Sequence, residues 1–334
     1  MKVLAGDIGG TKTILQIANI EQNRVQVEVE KSYPSQKYNE FIVLLNAFLE
    51  ETSTTGDNVF NSACFGVAGP VRNQVVKTTN LPWVLDAKQL AKDLGIATVL
   101  LINDFQAIGY GIEALKKDDV LTLQEGHEED HGVRAVIGAG TGLGEGILYW
   151  DNDHYEYLPS EGGHADFAPR NTHQIGLLEY LIGHIGQVSY EHVLSGSGLV
   201  SIYSYLCVDG PTKENPQVRH AMETEDPAAV ISRFALEQKD PLSTEALDLF
   251  CHIYGAQAGN LALTSLAVGG VYVAGGIAPK IINKLTDGTF LRAFNKNLKM
   301  SSLLENMPVK VVLNPKVGLI GAARTAARSS QKGD

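Results

Sequence analysis

Two adjacent polar residues, Asn103 and Asp104, follow a continuous apolar run over residues 99–102. Such a run is typical of a buried parallel strand, and the carboxyl ends of parallel strands form ligand sites in open α/β sheets. At that place Asp104 could act as a general base and Asn103 could hydrogen-bond a substrate. The alternative is that Asp104 only N-caps a helix beginning at Phe105. Both readings stay open on this stretch alone.

A second candidate site is the turn Gly6-Asp7-Ile8-Gly9-Gly10-Thr11, which follows a short apolar strand. Two adjacent glycines let backbone N–H groups approach an anion closely. Asp7 would supply a carboxylate for a hydrated Mg²⁺, and Thr11 a hydroxyl for a phosphate. The alternative is an ordinary hairpin turn, since the P-loop pattern G-x-x-x-x-G-K-[ST] does not occur in the chain.

The same plan of strand, glycine-rich turn and strand recurs around Gly138-Ala139-Gly140-Thr141-Gly142-Leu143-Gly144. This turn is not a dinucleotide fingerprint, because no frame gives G-x-G-x-x-G. Two phosphate-type turns on duplicated units would clamp a nucleoside triphosphate, whereas two unrelated turns are the alternative. A later glycine pair, Gly275-Gly276, follows a strand and would let an adenine ring lie against the backbone.

Carboxylate and imidazole groups occur together near the middle of the chain, where Glu161 and His164 flank two glycines. These groups suit sugar hydroxyls, which both donate and accept hydrogen bonds. A surface turn and a metal site are the alternatives, although zinc would need more ligands than Asp166 and His173 add. Further on, Ser189 would cap a helix whose first turn contains Glu191.

Composition limits the classes of partner. The 334 residues suffice for a large core in two lobes, and the formal net charge of −11 argues against nucleic acid or an anionic membrane as partner. Neither a signal peptide nor an apolar run of transmembrane length is expected. The three cysteines lie in apolar settings, which predicts free thiols and a cytoplasmic protein.

The periodicity predicts a mixed α/β architecture. A three-stranded antiparallel meander opens the chain, and residues 63–67 form a buried strand with residues 71–77 as its hairpin partner. Asp86 caps a short helix that Gly95 ends. Helices are expected over 173–185, which is apolar enough to be buried, and over 242–266.

Taken together, these motifs make the chain similar to the bacterial glucokinases of the hexokinase-like, actin-like ATPase superfamily. Six motifs carry the resemblance nearly from end to end, and their order is strongly specific although each alone is weak. They are Gly-Asp-Ile-Gly-Gly-Thr (6–11), Leu-Ile-Asn-Asp-Phe (101–105), Gly-Ala-Gly-Thr-Gly-Leu-Gly (138–144), Glu-Gly-Gly-His (161–164), Leu-Ser-Gly-Ser-Gly-Leu (194–199) and Ala-Gly-Gly-Ile (274–277).

The resemblance implies two ribonuclease-H-like lobes, each a mixed sheet flanked by helices, with an interlobe cleft. Residues 1–112 with the C-terminal helix 318–334 would form the small lobe, and residues 113–317 the large lobe. It implies phosphorylation of glucose by ATP with Mg²⁺, Asp104 being the base. The implied glucose ligands are Asn103, Asp104, Glu161, His164 and Glu191. The implied ATP-binding residues are Gly6, Asp7, Ile8, Gly9, Gly10, Thr11, Gly138, Gly140, Thr141, Gly142, Gly275 and Gly276, with Asp7 also contacting Mg²⁺ through water.

The chain departs from the family pattern at two loop positions, Ala139 and Ser197, where the family often has proline. It lacks the cysteine-rich zinc motif of the repressor-and-kinase (ROK) sugar kinases and a helix-turn-helix extension, which argues against a sugar-responsive repressor. A kinase for another hexose or an amino sugar and a catalytically silent sugar sensor are the remaining alternatives. The oligomeric state stays open, with a homodimer among the options.

Overall fold

The computed structural model describes residues 1–21, 24–52, 60–78, 81–210 and 212–331. Its strands, in chain order, are β1 (Lys2–Ile8), β2 (Lys12–Glu21), β3 (Arg24–Pro34), β4 (Ser62–Val67), β5 (Val75–Lys77), β6 (Val84–Asp86), β7 (Val99–Asn103), β8 (Val120–Gln124), β9 (Arg134–Ala139), β10 (Leu143–Asp151), β11 (His154–Ser160), β12 (Val271–Ala274) and β13 (Val309–Val312).

The α-helices alternate with these strands. They are α1 (Phe41–Thr52), α2 (Ala87–Leu94), α3 (Asp104–Gly111), α4 (Thr172–Ile185), α5 (Gly196–Asp209), α6 (Pro216–Met222), α7 (Pro227–Leu236), α8 (Pro241–Ser265), α9 (Ile282–Leu285), α10 (Thr289–Asn295), α11 (Ser301–Asn306) and α12 (Val317–Gln331). Short 3-10 helices lie at Ser35–Lys37, Ile112–Ala114, Lys117–Asp119, Gly162–His164, Tyr190–His192 and Ala278–Ile281.

The chain divides into two compact units. Unit 1 contains Met1–Lys116 and Asn314–Asp334, and unit 2 contains Lys117–Leu313. Unit 1 is therefore discontinuous in sequence, because helix α12 belongs with the N-terminal strands. Residues 332–334 of the predicted small lobe lie outside the described residues.

Unit 1 is built on a five-stranded sheet in the order β3-β2-β1-β4-β7. The first three strands form the predicted antiparallel meander, and β4 and β7 extend it in parallel with β1. Parallel strands bury both faces, which explains their continuous apolar sequences. The predicted pairing of residues 71–77 with 63–67 is wrong, because β5 pairs with β6 in a separate two-stranded sheet.

Helices α12 and α3 cross closely in unit 1, and glycines make the contact possible. A methyl group on Gly321 would overlap the carbonyl oxygen of Ala107, and one on Gly111 would overlap that of Val317. Backbones that touch in this way exclude any side chain from the crossing point. The position of α3, which starts at Asp104, is thus fixed by α12.

Unit 2 repeats the plan of unit 1 in its sheet, whose order is β11-β10-β9-β12-β13-β8. Strands β9, β10 and β11 form the meander, β12 and β13 run parallel to β9, and β8 adds an antiparallel edge. The duplication predicted from the two glycine-rich turns is confirmed by these sheet orders.

Helix α8 lies at the centre of unit 2, with most of its residues buried from Leu242 to Ala262. Helix α4 differs from the prediction of a buried helix. Ile175, Ile182 and Ile185 are 45%, 50% and 49% exposed, so one apolar side of α4 faces solvent. Its buried side is narrow, with Leu177 and Leu181 in the core. Within the described ranges, no helix combines the length and the apolar character needed to cross a membrane.

Candidate active site

Strand β7 ends at Asn103 and helix α3 begins at Asp104, and the two residues have different roles. The side-chain oxygen of Asn103 accepts hydrogen bonds from the N–H groups of Phe105 (2.9 Å) and Gln106 (3.3 Å). Asn103 has extended backbone angles, so it is the N-cap and α3 begins at Asp104. The alternative that Asp104 caps a helix beginning at Phe105 is therefore wrong, because the preceding residue already caps α3.

Asp104 lies instead in the first helical turn, where its Oδ1 accepts from the N–H of Phe105 at 2.8 Å. Burial raises the pKa of Asp104 above its ordinary value, while hydrogen bonds from Phe105 and Asn103 oppose the rise. A carboxylate with a raised pKa is a better proton acceptor. Asn103 also donates an amide hydrogen to the carbonyl oxygen of Gly69 at 3.2 Å.

Asp7 belongs to the same cluster, because β1, β4 and β7 are adjacent parallel strands. Between their carboxyl ends lies Gly66, whose Cα would place a methyl group 3.2 Å from Ala107 Cβ and 3.9 Å from Asp104 Cα. The missing side chain of Gly66 lets Asp104 approach β1. Burial and then the charge of Asp104 raise the pKa of Asp7 to about 6, against the opposing charge of Lys12.

The turn after Asp7 is held by a residue that the sequence did not single out. Ser35 Oγ donates to the carbonyl oxygen of Gly9 (2.7 Å), and the backbone N–H of Ser35 donates to the carbonyl oxygen of Thr11 (3.0 Å). The N–H of Gly9 closes the turn on the carbonyl oxygen of Lys12 at 3.1 Å. The Gly9 N–H is therefore already used, and Gly10 and Thr11 are the better candidates for an anion.

Two members of the predicted phosphate turn have a packing role. A methyl group on Gly6 would lie 2.8 Å from side-chain atoms of Leu15 and Phe65, so Gly6 permits close packing inside the sheet. Ile8 is 1% exposed and lies in the core of unit 1. Both residues are thus explained by packing within β1, whose backbone pairs with β2 and β4.

In unit 2 the turn 138–144 connects β9 to β10 and is fixed by neighbouring backbone groups. The carbonyl oxygen of Gly140 accepts from the N–H of Gly196 (2.9 Å), and the N–H of Gly140 donates to the carbonyl oxygen of Gly142 (2.8 Å). Gly275 has φ +83°, and a methyl group there would lie 2.5 Å from the carbonyl oxygen of Ala139. The structure therefore brings the glycine pair 275–276 against the phosphate-type turn of the same unit.

The predicted sugar-binding segments of unit 2 are also joined. Glu161 and His164 flank a single 3-10 turn, with 3.9 Å between the carboxylate and Nε2, and both side chains are largely exposed. A β-bridge pairs Asp166 with Ser189, the residue that caps the 3-10 helix containing Glu191. The prediction of a Ser189 cap is confirmed, and the capped helix is a 3-10 helix.

Glu191 reaches the glycine-rich turn itself. Its Oε2 accepts from the N–H of Leu143 at 2.9 Å, and a methyl group on Gly142 would lie 2.5 Å from the same oxygen. A candidate sugar ligand and a candidate phosphate turn thus share a hydrogen bond. In the described residues no cluster of three or more histidine, cysteine or acidic side chains could hold a metal ion.

Asp7 and Asp104 nevertheless fit a hydrated Mg²⁺. The donor set consists of oxygen atoms, and burial together with the charge of Asp104 raises the pKa of Asp7, although the charge of Lys12 opposes the rise. Mg²⁺ usually keeps several waters and binds one or two carboxylates together with substrate phosphates.

Comparison with known proteins identifies the family. A family model described as Glucokinase matches residues 4–329. A glucokinase of Trichormus variabilis is 45% identical over 340 residues, covering 98% of this chain and 99% of that protein.

Solved structures show the same fold. A glucokinase from an Antarctic psychrotroph superposes with a TM-score of 0.85 at 27% identity, covering 98% of this chain and 99% of that one. A ROK family glucokinase from Streptomyces griseus, in complex with glucose and AMPPNP, gives a TM-score of 0.65 at 20% identity, covering 98% and 100%. The α/β fold is therefore that of the actin-like ATPase superfamily, and the chain belongs to the glucokinase family.

Proposed function

We propose that this protein transfers the γ-phosphoryl group of ATP to the 6-hydroxyl group of D-glucose, with Asp104 as the general base. The observation that carries the proposal is the half-buried carboxyl group of Asp104, which directly follows β7 and is relieved of helix capping by Asn103. The glucokinases that match nearly the whole chain support the overall reaction.

Glucose would be held by groups of opposite hydrogen-bonding character. The carboxylates of Glu161 and Glu191 accept from sugar hydroxyls, whereas the Asn103 amide donates and the His164 imidazole does either. Because Glu161 and His164 are exposed on one short turn, they are available to a ligand.

Each unit offers one turn with backbone N–H groups as candidates for the phosphates of ATP. In residues 6–11 of unit 1 these are the N–H groups of Gly10 and Thr11, because the Gly9 N–H is already used, and in unit 2 they belong to residues 138–142. Thr11 and Thr141 are exposed residues of these turns and could add a hydroxyl group each. The adenosine would lie along Gly275 and Gly276, the latter having open space where a side chain would be. Mg²⁺, held through water by Asp7, would neutralise phosphate charge.

The chain's own part in the reaction is positioning and proton transfer. Asp104 accepts the proton of the glucose 6-hydroxyl group while the oxygen of that hydroxyl group bonds to the γ-phosphorus of ATP. The bond from the γ-phosphorus to the β,γ-bridging oxygen breaks, and ADP leaves. Phosphoryl transfer requires little covalent chemistry of the protein, so orientation and charge stabilisation dominate catalysis.

A panel of sugars tests the proposal against its alternatives. ADP production with glucose, mannose, fructose and glucosamine, measured by a coupled assay, should be fastest with glucose. A higher kcat/KM for another sugar would favour the kinase for another hexose or an amino sugar. Binding without ADP production would favour the silent sensor.

Two further proposals concern the state of the protein. A cytoplasmic location is supported by the cysteines Cys64, Cys207 and Cys251, which are all free thiols. A homodimer stays a prediction, which sedimentation equilibrium would test.

A further inference from the structure

A chain of buried polar side chains in unit 2 connects the two segments that contain Glu161 and Glu191. Glu145 Oε1 accepts from Gln257 Nε2 at 2.8 Å. Asn260 Nδ2 donates to both Gln257 Oε1 and the Tyr190 hydroxyl group, each at 3.1 Å. Glu145, Gln257 and Tyr190 are 3%, 6% and 5% exposed, whereas Asn260 is half-buried.

A cation joins this polar chain at Asn260. Arg170 Nη2 donates to Asn260 Oδ1 at 2.7 Å, and its guanidinium also donates to the carbonyl oxygens of Ala256 and Ala293. Because Asn260 Oδ1 accepts from Arg170, its amide nitrogen must donate onward to Gln257, which donates in turn to Glu145. Donation therefore runs in one direction from guanidinium to carboxyl group, and the two amides have fixed orientations.

Each terminus of the polar chain touches one candidate sugar-binding segment. A methyl group on Gly162 would overlap Glu145 Oε2, so the turn beginning after Glu161 lies directly on this carboxyl group. The same turn is tied to Ser160, which pairs with Glu145 across β10 and β11. At the other terminus Tyr190 immediately precedes Glu191.

We propose that Glu145 is a positioning residue for glucose: through Gln257, Asn260 and Tyr190 it fixes the spacing between the Glu161–His164 turn and Glu191. This inference rests on the proposed function, because it requires those residues to bind the sugar. Burial raises the pKa of Glu145, and the Gln257 amide opposes the rise. Removing one of these side chains would leave its hydrogen-bond partner unpaired, so the other side chains of the polar chain would shift.

The test separates glucose binding from ATP binding. Glu145→Leu should raise the KM for glucose about tenfold or more while the KM for ATP stays within twofold. Glu145→Gln keeps an oxygen that can accept from Gln257, so it should restore the glucose KM to within about threefold of the parent. A glucose KM that is unchanged in Glu145→Leu, or a rise shared equally by both substrates, would overturn the proposal.

Tyr190→Phe keeps the inference testable if Glu145→Leu does not fold, since it removes only a hydroxyl group. It should raise the glucose KM about threefold. Where Glu145→Leu does fold, the double variant Glu145→Leu/Tyr190→Phe should raise the glucose KM by less than the product of the single effects. An unchanged glucose KM in Tyr190→Phe, or fully multiplicative losses, would contradict a connected chain.

Glu161→Ala, measured in parallel, distinguishes failure of the positioning role from failure of the proposed sugar site. If it raises the glucose KM whereas Glu145→Leu does not, only the positioning role fails. If Glu161→Ala leaves the glucose KM unchanged, the proposed sugar site fails and the positioning role fails with it.

Discussion

Asp104→Asn separates chemistry from structure at one position. Asn103 caps α3 with its own side chain, and an amide oxygen at position 104 can still accept from the Phe105 N–H. The substitution therefore preserves the hydrogen bonds at the start of the helix. It removes one of two neighbouring carboxylates, so we expect a melting temperature equal to or above that of the parent.

The loss should appear in kcat. Removal of a general base typically costs about 10² to 10⁴ in rate, equivalent to about 3–5 kcal/mol of transition-state stabilisation. Glucose should still bind, because an amide oxygen accepts a hydrogen bond from the 6-hydroxyl group. The decrease in kcat/KM at low pH that protonation of Asp104 causes in the parent should be absent in the variant.

Two control variants calibrate the result. Asp86→Asn changes a residue that caps α2 through the N–H groups of Lys88 and Gln89, and it should leave kcat unaltered. Asn103→Ala deletes the cap of α3 and should cost about 1 kcal/mol of stability. The readouts are kcat from a coupled assay, glucose affinity from calorimetry and the melting temperature.

Two results would refute the reasoning. A kcat within tenfold of the parent would show that Asp104 is not the base. A loss of melting temperature as large as that of Asn103→Ala would show that Asp104 supports the helix.

Three other predictions follow from the same geometry. The pKa of Asp7 is raised from its ordinary 3.8 to about 6, so the native state keeps this proton between pH 4 and 6, where the unfolded state loses it. The free energy of unfolding should therefore fall, by at most about 3 kcal/mol, as the pH rises through this window. Asp7→Asn should abolish this pH dependence in urea titrations. Gly321→Ala, whose methyl group would overlap Ala107 at the α12–α3 crossing, should destabilise unit 1 by about 1–3 kcal/mol, and an unchanged urea midpoint would contradict the packing. Glu161→Ala should flatten the preference for glucose over deoxyglucoses, a preference that reaches about 10⁴-fold at best, and an unaltered ranking of the sugars would remove Glu161 from the site.

The sequence predicts the sheets well because their signals are local. Continuous apolar runs ending in polar residues mark parallel strands, and two glycine-rich turns in equivalent places reveal the duplicated plan. The same logic places Asp7 and Asp104 at strand ends, where the structure brings them together.

Other features depend on information that is not local. Asparagine and aspartate cap helices equally well, so only the backbone conformation of Asn103 shows which residue caps α3. The exposed isoleucines of α4 resemble core residues in the sequence. Glu145 resembles an ordinary polar residue of an alternating strand, because its partner Gln257 lies 112 residues further along the chain.

The discontinuity of unit 1 has a consequence for the order of synthesis. Helix α12, which packs on β1, β4 and α3, follows unit 2 in the chain. A ribosome adding about 5–20 residues per second needs roughly 10–40 s to translate the intervening segment. During that interval the N-terminal strands are made but lack the helix that covers them, and unit 2 can fold first. The nascent protein must therefore keep an incomplete sheet from aggregating until translation reaches α12.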